Sequence, residues 1–178
     1  MIYIYLPMSI TSSFVSTGLM FHQIFIFNQK GWSLIMLGNG FLFLGIFSII
    51  GLIIGGPIID KFNTRKTALT ALLPLFLALL VLLSFNNYFS LLLYMSLYGL
   101  NHGLTAPFIG ALWAEIYGVE SLGTVKALLH AGGVFASALS PLMFGYLIDI
   151  GFGISIIVII SILIIIVSTL LPIYNKLP

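Results

Sequence analysis

Long apolar runs, interrupted by short charged or turn-forming segments, define this chain. Met1–Gln29, Gly31–Ile59, Thr67–Ala114, Ala127–Ile148 and Ile150–Asn175 contain no Asp, Glu, Lys or Arg. A soluble surface needs charge every few residues. A bilayer accepts such runs, and a spanning helix takes about 20 apolar residues. The run from Thr67 to Ala114 is too long for one crossing, and Asn86-Asn87 supplies a turn that divides it. The pattern predicts helices over Tyr3–Phe27, Ser33–Ile59, Thr67–Phe85, Tyr88–Trp113, Leu122–Ile148 and Gly153–Tyr174. The expected fold class is an all-α membrane protein in which residues 1–178 form a single six-helix transmembrane domain.

Polar residues are spread unevenly over these helices. The first carries Thr11, Ser12, Ser13, Ser16, Thr17, His22 and Gln23, and the fourth carries Asn101, His102 and Thr105. The second and fifth are intermediate, with Asn39 in one and Lys126 and His130 in the other. The third is Leu-rich and the sixth is mostly Ile, Leu and Val, so both are expected to face lipid on nearly every side. The order polar, intermediate, apolar therefore occurs twice. Because three is odd, the second triplet enters from the opposite side of the membrane, which makes two inverted three-helix repeats, a construction common in secondary transporters. In that arrangement the first helix of each triplet lines a cavity.

Charge sets the orientation. Lys61, Arg65, Lys66, Lys126 and Lys176 fall on one side of the predicted membrane and Lys30 alone on the other. The basic side faces the cytoplasm, which places both termini there, in a bacterial-type inner (plasma) membrane. The composition, 61% hydrophobic against 6% charged, excludes a nucleic-acid binder and a soluble enzyme domain. The absence of cysteine removes disulfides and thiolate metal sites. The first apolar run lacks a basic leader and a clear cleavage site, so it reads as a retained helix. Neither a metal site nor any other cofactor is expected, and no hydrolase, zinc-protease or phosphate-loop motif marks a catalytic residue.

Small residues recur at close-packing spacing, in Gly51-x-x-x-Gly55 and Gly99-x-x-x-Gly103, where two helix backbones can approach. Pro141 predicts a kink in the fifth helix, and Pro74 and Pro107 similar effects in the third and fourth. Trp32, Trp113 and Tyr117 lie near helix ends and read as interfacial belts.

The second loop reads Gly56-Pro57-Ile58-Ile59-Asp60-Lys61-Phe62-Asn63-Thr64-Arg65-Lys66. It resembles the G-x-L-x-D-R/K-x-G-R-R/K signature of the major facilitator superfamily, where it joins the second and third helices of each six-helix half. Gly56, Asp60 and Lys61 match the signature, and Arg65 and Lys66 fall in its basic tail. Asn63 replaces the usual second glycine, and Thr64 replaces a basic residue. A carboxylate at Asp60 can accept from Arg65 or from a helix N-terminus, forming a cluster made in one conformation and broken in another.

A second set of residues resembles the C-terminal half of bacterial monocarboxylate-transporter-like members of that superfamily. These residues are Leu112–Gly118, Leu122-Gly123, Ser137–Pro141 and Gly145–Asp149, with Phe21-His22-Gln23 and Lys30–Ser33. The resemblance implies half of a twelve-helix transporter working by alternating access, whose partners are the lipid bilayer, a small solute, and a missing N-terminal half or second copy.

Asn101 and His102, mid-helix, are the first candidates for solute or proton contact, because buried polar groups in hydrocarbon usually face a cavity or a partner. Thr17 belongs to the same expected cavity, and His22 and Gln23 lie toward its outer rim. His130 stands one turn from Lys126, and two basic groups on one face favour an anion. The expected function is transport of a small solute, with an organic anion as the favoured class. A non-transporting membrane scaffold and an intramembrane enzyme are the alternatives. Concentration of polar residues in the first and fourth helices favours transport over the scaffold, and the missing hydrolase motif disfavours the enzyme.

Overall fold

The computed structural model describes residues 2–118 and 120–174, and the described residues form helices and connections with no strand. Eight helical segments follow in order: α1 (Ile2–Phe21), α2 (Gln23–Lys30), α3 (Leu34–Lys61), α4 (Thr64–Leu69), α5 (Leu73–Ser84), α6 (Tyr88–Tyr117), α7 (Leu122–Asp149) and α8 (Ile154–Tyr174). Five helical stretches are long and apolar enough to cross a membrane: Tyr3–Phe21, Leu34–Lys61, Thr64–Ser84, Leu122–Asp149 and Ile154–Tyr174. Helix α6, at 30 residues, is the longest, and its polar content keeps it out of that set.

Two of the expected helices are interrupted, each for a local reason. Between α1 and α2, the His22 ring Nδ1 lies 2.8 Å from the carbonyl of Gly18, the group that the His22 amide would bond in a regular helix. The amide turns instead to Leu19 O at 3.2 Å, and a side chain inserted into the ladder breaks the helix. Between α4 and α5, Pro74 has no N–H to offer Thr70. The chain tightens there into i→i−3 bonds, Thr70 to Thr67, Ala71 to Ala68 and Leu73 to Thr70. The ends are capped conventionally. Asn63 Oδ1 accepts from Arg65 N and Asn87 Oδ1 from Ser90 N. Gly31, at φ 68°, allows Trp32 N to reach back to Phe27 O.

The helices pair across the molecule. The most extensive contact is α3 with α6, followed by α1 with α7, α5 with α6, and α1 with α8. The two glycine motifs explain the first pair. A Cβ on Gly99 or Gly103 would collide with the backbone carbonyl of Leu44 or Ser48, and one on Gly51 would lie 2.8 Å from Leu100 O. Ser48 Oγ bonds Gly99 O at 3.0 Å across the same crossing. Gly56 has open space around it and brings no helices together; Gly55, one residue earlier, meets Pro107.

Burial within the chain is uneven among the helices. The third helix is packed: Leu75, Ala78 and Leu79 are fully buried in α5. The second and fifth are the open ones, burying only Gly40, Gly51 and Gly55 in α3 and Val125, Ala136, Ser140 and Phe144 in α7. Apolar composition cannot separate a helix that faces lipid from one that faces other apolar helices, because the driving force in a bilayer is close packing rather than exclusion from water. Trp113 and Trp32 are also core residues rather than belts. Trp113 is fully buried and donates Nε1 to Ser9 Oγ, and Trp32 donates to Asn86 O.

Candidate solute cavity

Helices α1, α6 and α7 line an open cavity of about 810 Å³. Its walls come from residues 9–17 of α1, 102–113 of α6 and 126–137 of α7. Because α6 ends and α7 begins at the Glu115 end of the bundle, the cavity occupies the half nearer the loop at residues 61–66. At the other end α1 and α7 close on each other, where Gly18 leaves room for Ser140 and Phe144.

Helical spacing sets what each wall presents. Ser9, Ser12, Ser13, Ser16 and Thr17 put a row of hydroxyls on the α1 wall. Lys126 and His130, four residues apart, stand together on the α7 wall, and His102 faces in from α6. Gly133 keeps space beside Ser13, whose Oγ would lie 3.4 Å from an added Cβ. Three basic side chains and no Asp or Glu line the cavity. The one formally charged side chain, Lys126, attracts negative charge.

Of the candidates from the sequence, Thr17, His102 and His130 are thus brought together, and Lys126 joins them. Asn101 is not. It is completely buried, its Oδ1 accepts from Ser12 Oγ at 3.0 Å, and its Nδ2 donates to Ala71 O at 2.9 Å. It ties the cavity wall to the break before α5. His22 and Gln23 lie at the closed end, outside the cavity. His22 is held by Gly18 and packs near Phe144, and Gln23 donates Nε2 to Tyr94 OH at 3.1 Å. Sequence reasoning left Trp113 and Ser9 out of the candidates; both line the cavity, and only their pairing across 104 positions of sequence reveals it.

At the loop end, Arg65 Nε lies 3.5 Å from Glu115 Oε1. The acid that meets Arg65 is therefore at the end of α6, whereas Asp60 is solvent-exposed. Helix α4 turns Arg65 toward α6 and leaves Asp60 on the last turn of α3. Lys61, also exposed, lies over the Phe62 ring at 5.7 Å, and Lys66 is exposed.

The family model of the Major Facilitator Superfamily matches residues 4–176. The chain belongs to the Major Facilitator Superfamily. The match reaches every helix described above and makes this superfamily member an integral membrane protein of a transporter family rather than an enzyme. Comparison with curated proteins yields no match.

Proposed function

We propose that the chain is a six-helix half of a secondary transporter, built as two inverted three-helix repeats, that moves a small organic anion by alternating access with a second six-helix unit. The observation that carries this reading is the cavity lining, with Lys126 as its one formally charged side chain, His130 and His102 beside it, and no carboxylate. The pairing of helices supports the repeat. Exchanging the first three helices for the last three turns the α3–α6 pair into α7–α1, and the α5–α6 pair into α8–α1. The open faces of α3 and α7 support the second unit, since these helices bury little within the chain. That unit is an N-terminal six-helix half or a second copy. On the basic-residue count the Arg65–Glu115 end is cytoplasmic, so the cavity belongs to an inward-facing state.

The test is reconstitution. The chain is purified in mild detergent, its oligomeric mass measured, and uptake of labelled small carboxylates followed in liposomes. Monomeric chain should give no uptake, and dimer or chain joined to a partner half should give saturable uptake. A stable monomer with saturable uptake overturns the half-transporter reading. Dimer and joined halves that both leave every carboxylate outside overturn the anion reading.

A further inference from the structure

A second recess lies apart from the cavity. It is an open groove of about 220 Å³ between the broken third helix and α8. Leu69, Leu73 and Phe76 form one wall, and Ile165, Ile166 and Leu170 the other. Leu73, Ile166 and Leu170 are exposed. The groove sits at the break before Pro74, where the tightened bonds fall between Leu69 and Phe76. Its place in the fold says what fills it. The helix contacts run in the series α3–α6–α5–α8–α1–α7. The α5–α8 pair stands in the middle of that series, and the open helices α3 and α7 stand at its ends. A second unit seated on α3 and α7 therefore leaves the groove to the bilayer. An unfilled recess forfeits dispersion contacts, so hydrocarbon enters it.

Charge and depth say which lipid. Lys66 is exposed and precedes Leu69 by three residues on α4, so it stands one turn nearer the loop on the face of the groove. Helical side chains lean toward the N-terminus, which carries its ammonium toward the membrane surface. At 1.5 Å per residue, Leu69 lies about 5 Å along the axis from Lys66, and Phe76 about 15 Å. That is the depth of one leaflet's hydrocarbon, half of about 30 Å. Tyr174, 90% exposed, ends α8 on the same side. The other charges of the loop are placed differently. Arg65 meets Glu115, Lys61 lies over Phe62, and Asp60 is exposed on the last turn of α3. Lys176 lies outside the described residues. We propose that the groove holds an acyl chain of one anionic phospholipid in the loop-side leaflet, with its phosphate at Lys66. A zwitterionic lipid brings its own ammonium beside Lys66, whereas an anionic headgroup leaves the attraction whole. The site is separate from whatever the cavity carries.

The experiment is native mass spectrometry of the purified chain in mild detergent, with phosphatidylglycerol and phosphatidylcholine of the same acyl chains in equal competition. The chain should retain phosphatidylglycerol about fivefold over phosphatidylcholine, the factor for one lysine at a lipid surface. Lys66→Gln should remove that preference, and Lys61→Gln should keep most of it. Leu170→Trp, which fills the groove, should lower the retention of both lipids. Size-exclusion profile and melting temperature show that each variant is folded, and Lys66, being exposed, can be replaced without disturbing packing. Equal retention of the two lipids, or of neither, by the unaltered chain overturns the proposal. Equal losses from Lys61→Gln and Lys66→Gln mean that the loop as a whole draws the lipid, and they overturn it too. Unchanged phosphatidylglycerol binding in folded Leu170→Trp places the lipid elsewhere and does the same. A dimer that Leu170→Trp dissociates would put a second copy in the groove instead of a lipid.

Discussion

Arg65 and Glu115 form an ion pair between the first turn of α4 and the last turn of α6, with Nε and Oε1 3.5 Å apart. The pair joins residues 50 positions apart in sequence, in the half of the bundle that holds the cavity. Both side chains are about one-third exposed, so solvent screens the attraction and the pair contributes roughly 0.2–1 kcal/mol. Its value lies in holding the start of the third helix against the fourth. Glu115→Gln should lower the melting temperature by no more than about 2–4 °C. It should also raise the labelling rate of a cysteine placed at Phe62. Exchanging the charges, Arg65→Glu with Glu115→Arg, should recover most of the loss. Additive damage in the double variant would show that the two do not interact.

Asn101 is expected to be structural in its immediate effect. Removing its amide leaves Ser12 Oγ and Ala71 O without partners, and each buried orphan costs about 1–3 kcal/mol. Asn101→Leu should therefore destabilise the chain more than His102→Leu, whose side chain lies on the exposed side of α6. A double-mutant cycle with Ser12→Ala should show coupling of about 0.5–3 kcal/mol by thermal unfolding in detergent. Zero coupling would contradict the bond.

The glycines divide cleanly. Gly99→Ala and Gly103→Ala add a Cβ against the carbonyls of Leu44 and Ser48, which cannot move without parting α3 from α6. Both should reduce the yield of folded protein sharply. Gly56→Ala and Gly110→Ala meet nothing and remove a helix-weakening residue, a gain of about 0.5–1 kcal/mol. Melting temperatures of the four variants check the contrast, and tolerance at Gly103 would refute the observed crossing.

Topology can be read from single cysteines in this cysteine-free chain. Asn28 and Phe62 are exposed near opposite ends of the bundle. Asn28→Cys should react with an impermeant maleimide in intact cells, and Phe62→Cys only after permeabilisation. The inverse pattern would place the Arg65–Glu115 end outside.

The length, spacing and charge of the apolar runs already determined a great deal here. They set the membrane as solvent, the places where the chain turns, and the concentration of polar groups in α1 and α6. These are properties of stretches, so a linear reading captures them. The glycine motifs likewise announced a close crossing, since nothing larger than hydrogen permits one. Which hydrogen bond a side chain makes is a property of pairs, and that was invisible. Asn101 and His102 are adjacent in sequence, yet helical geometry turns the first into the core against Ser12 and Ala71 and the second into the cavity. Asp60 is the acid nearest Arg65 in sequence, yet the ion pair is made with Glu115 at the end of α6. Burial within the chain was decided the same way. A Leu-rich helix is equally at home against lipid or against other helices, so the partner that packs most closely decides where it lies, and that partner exists only in the tertiary structure.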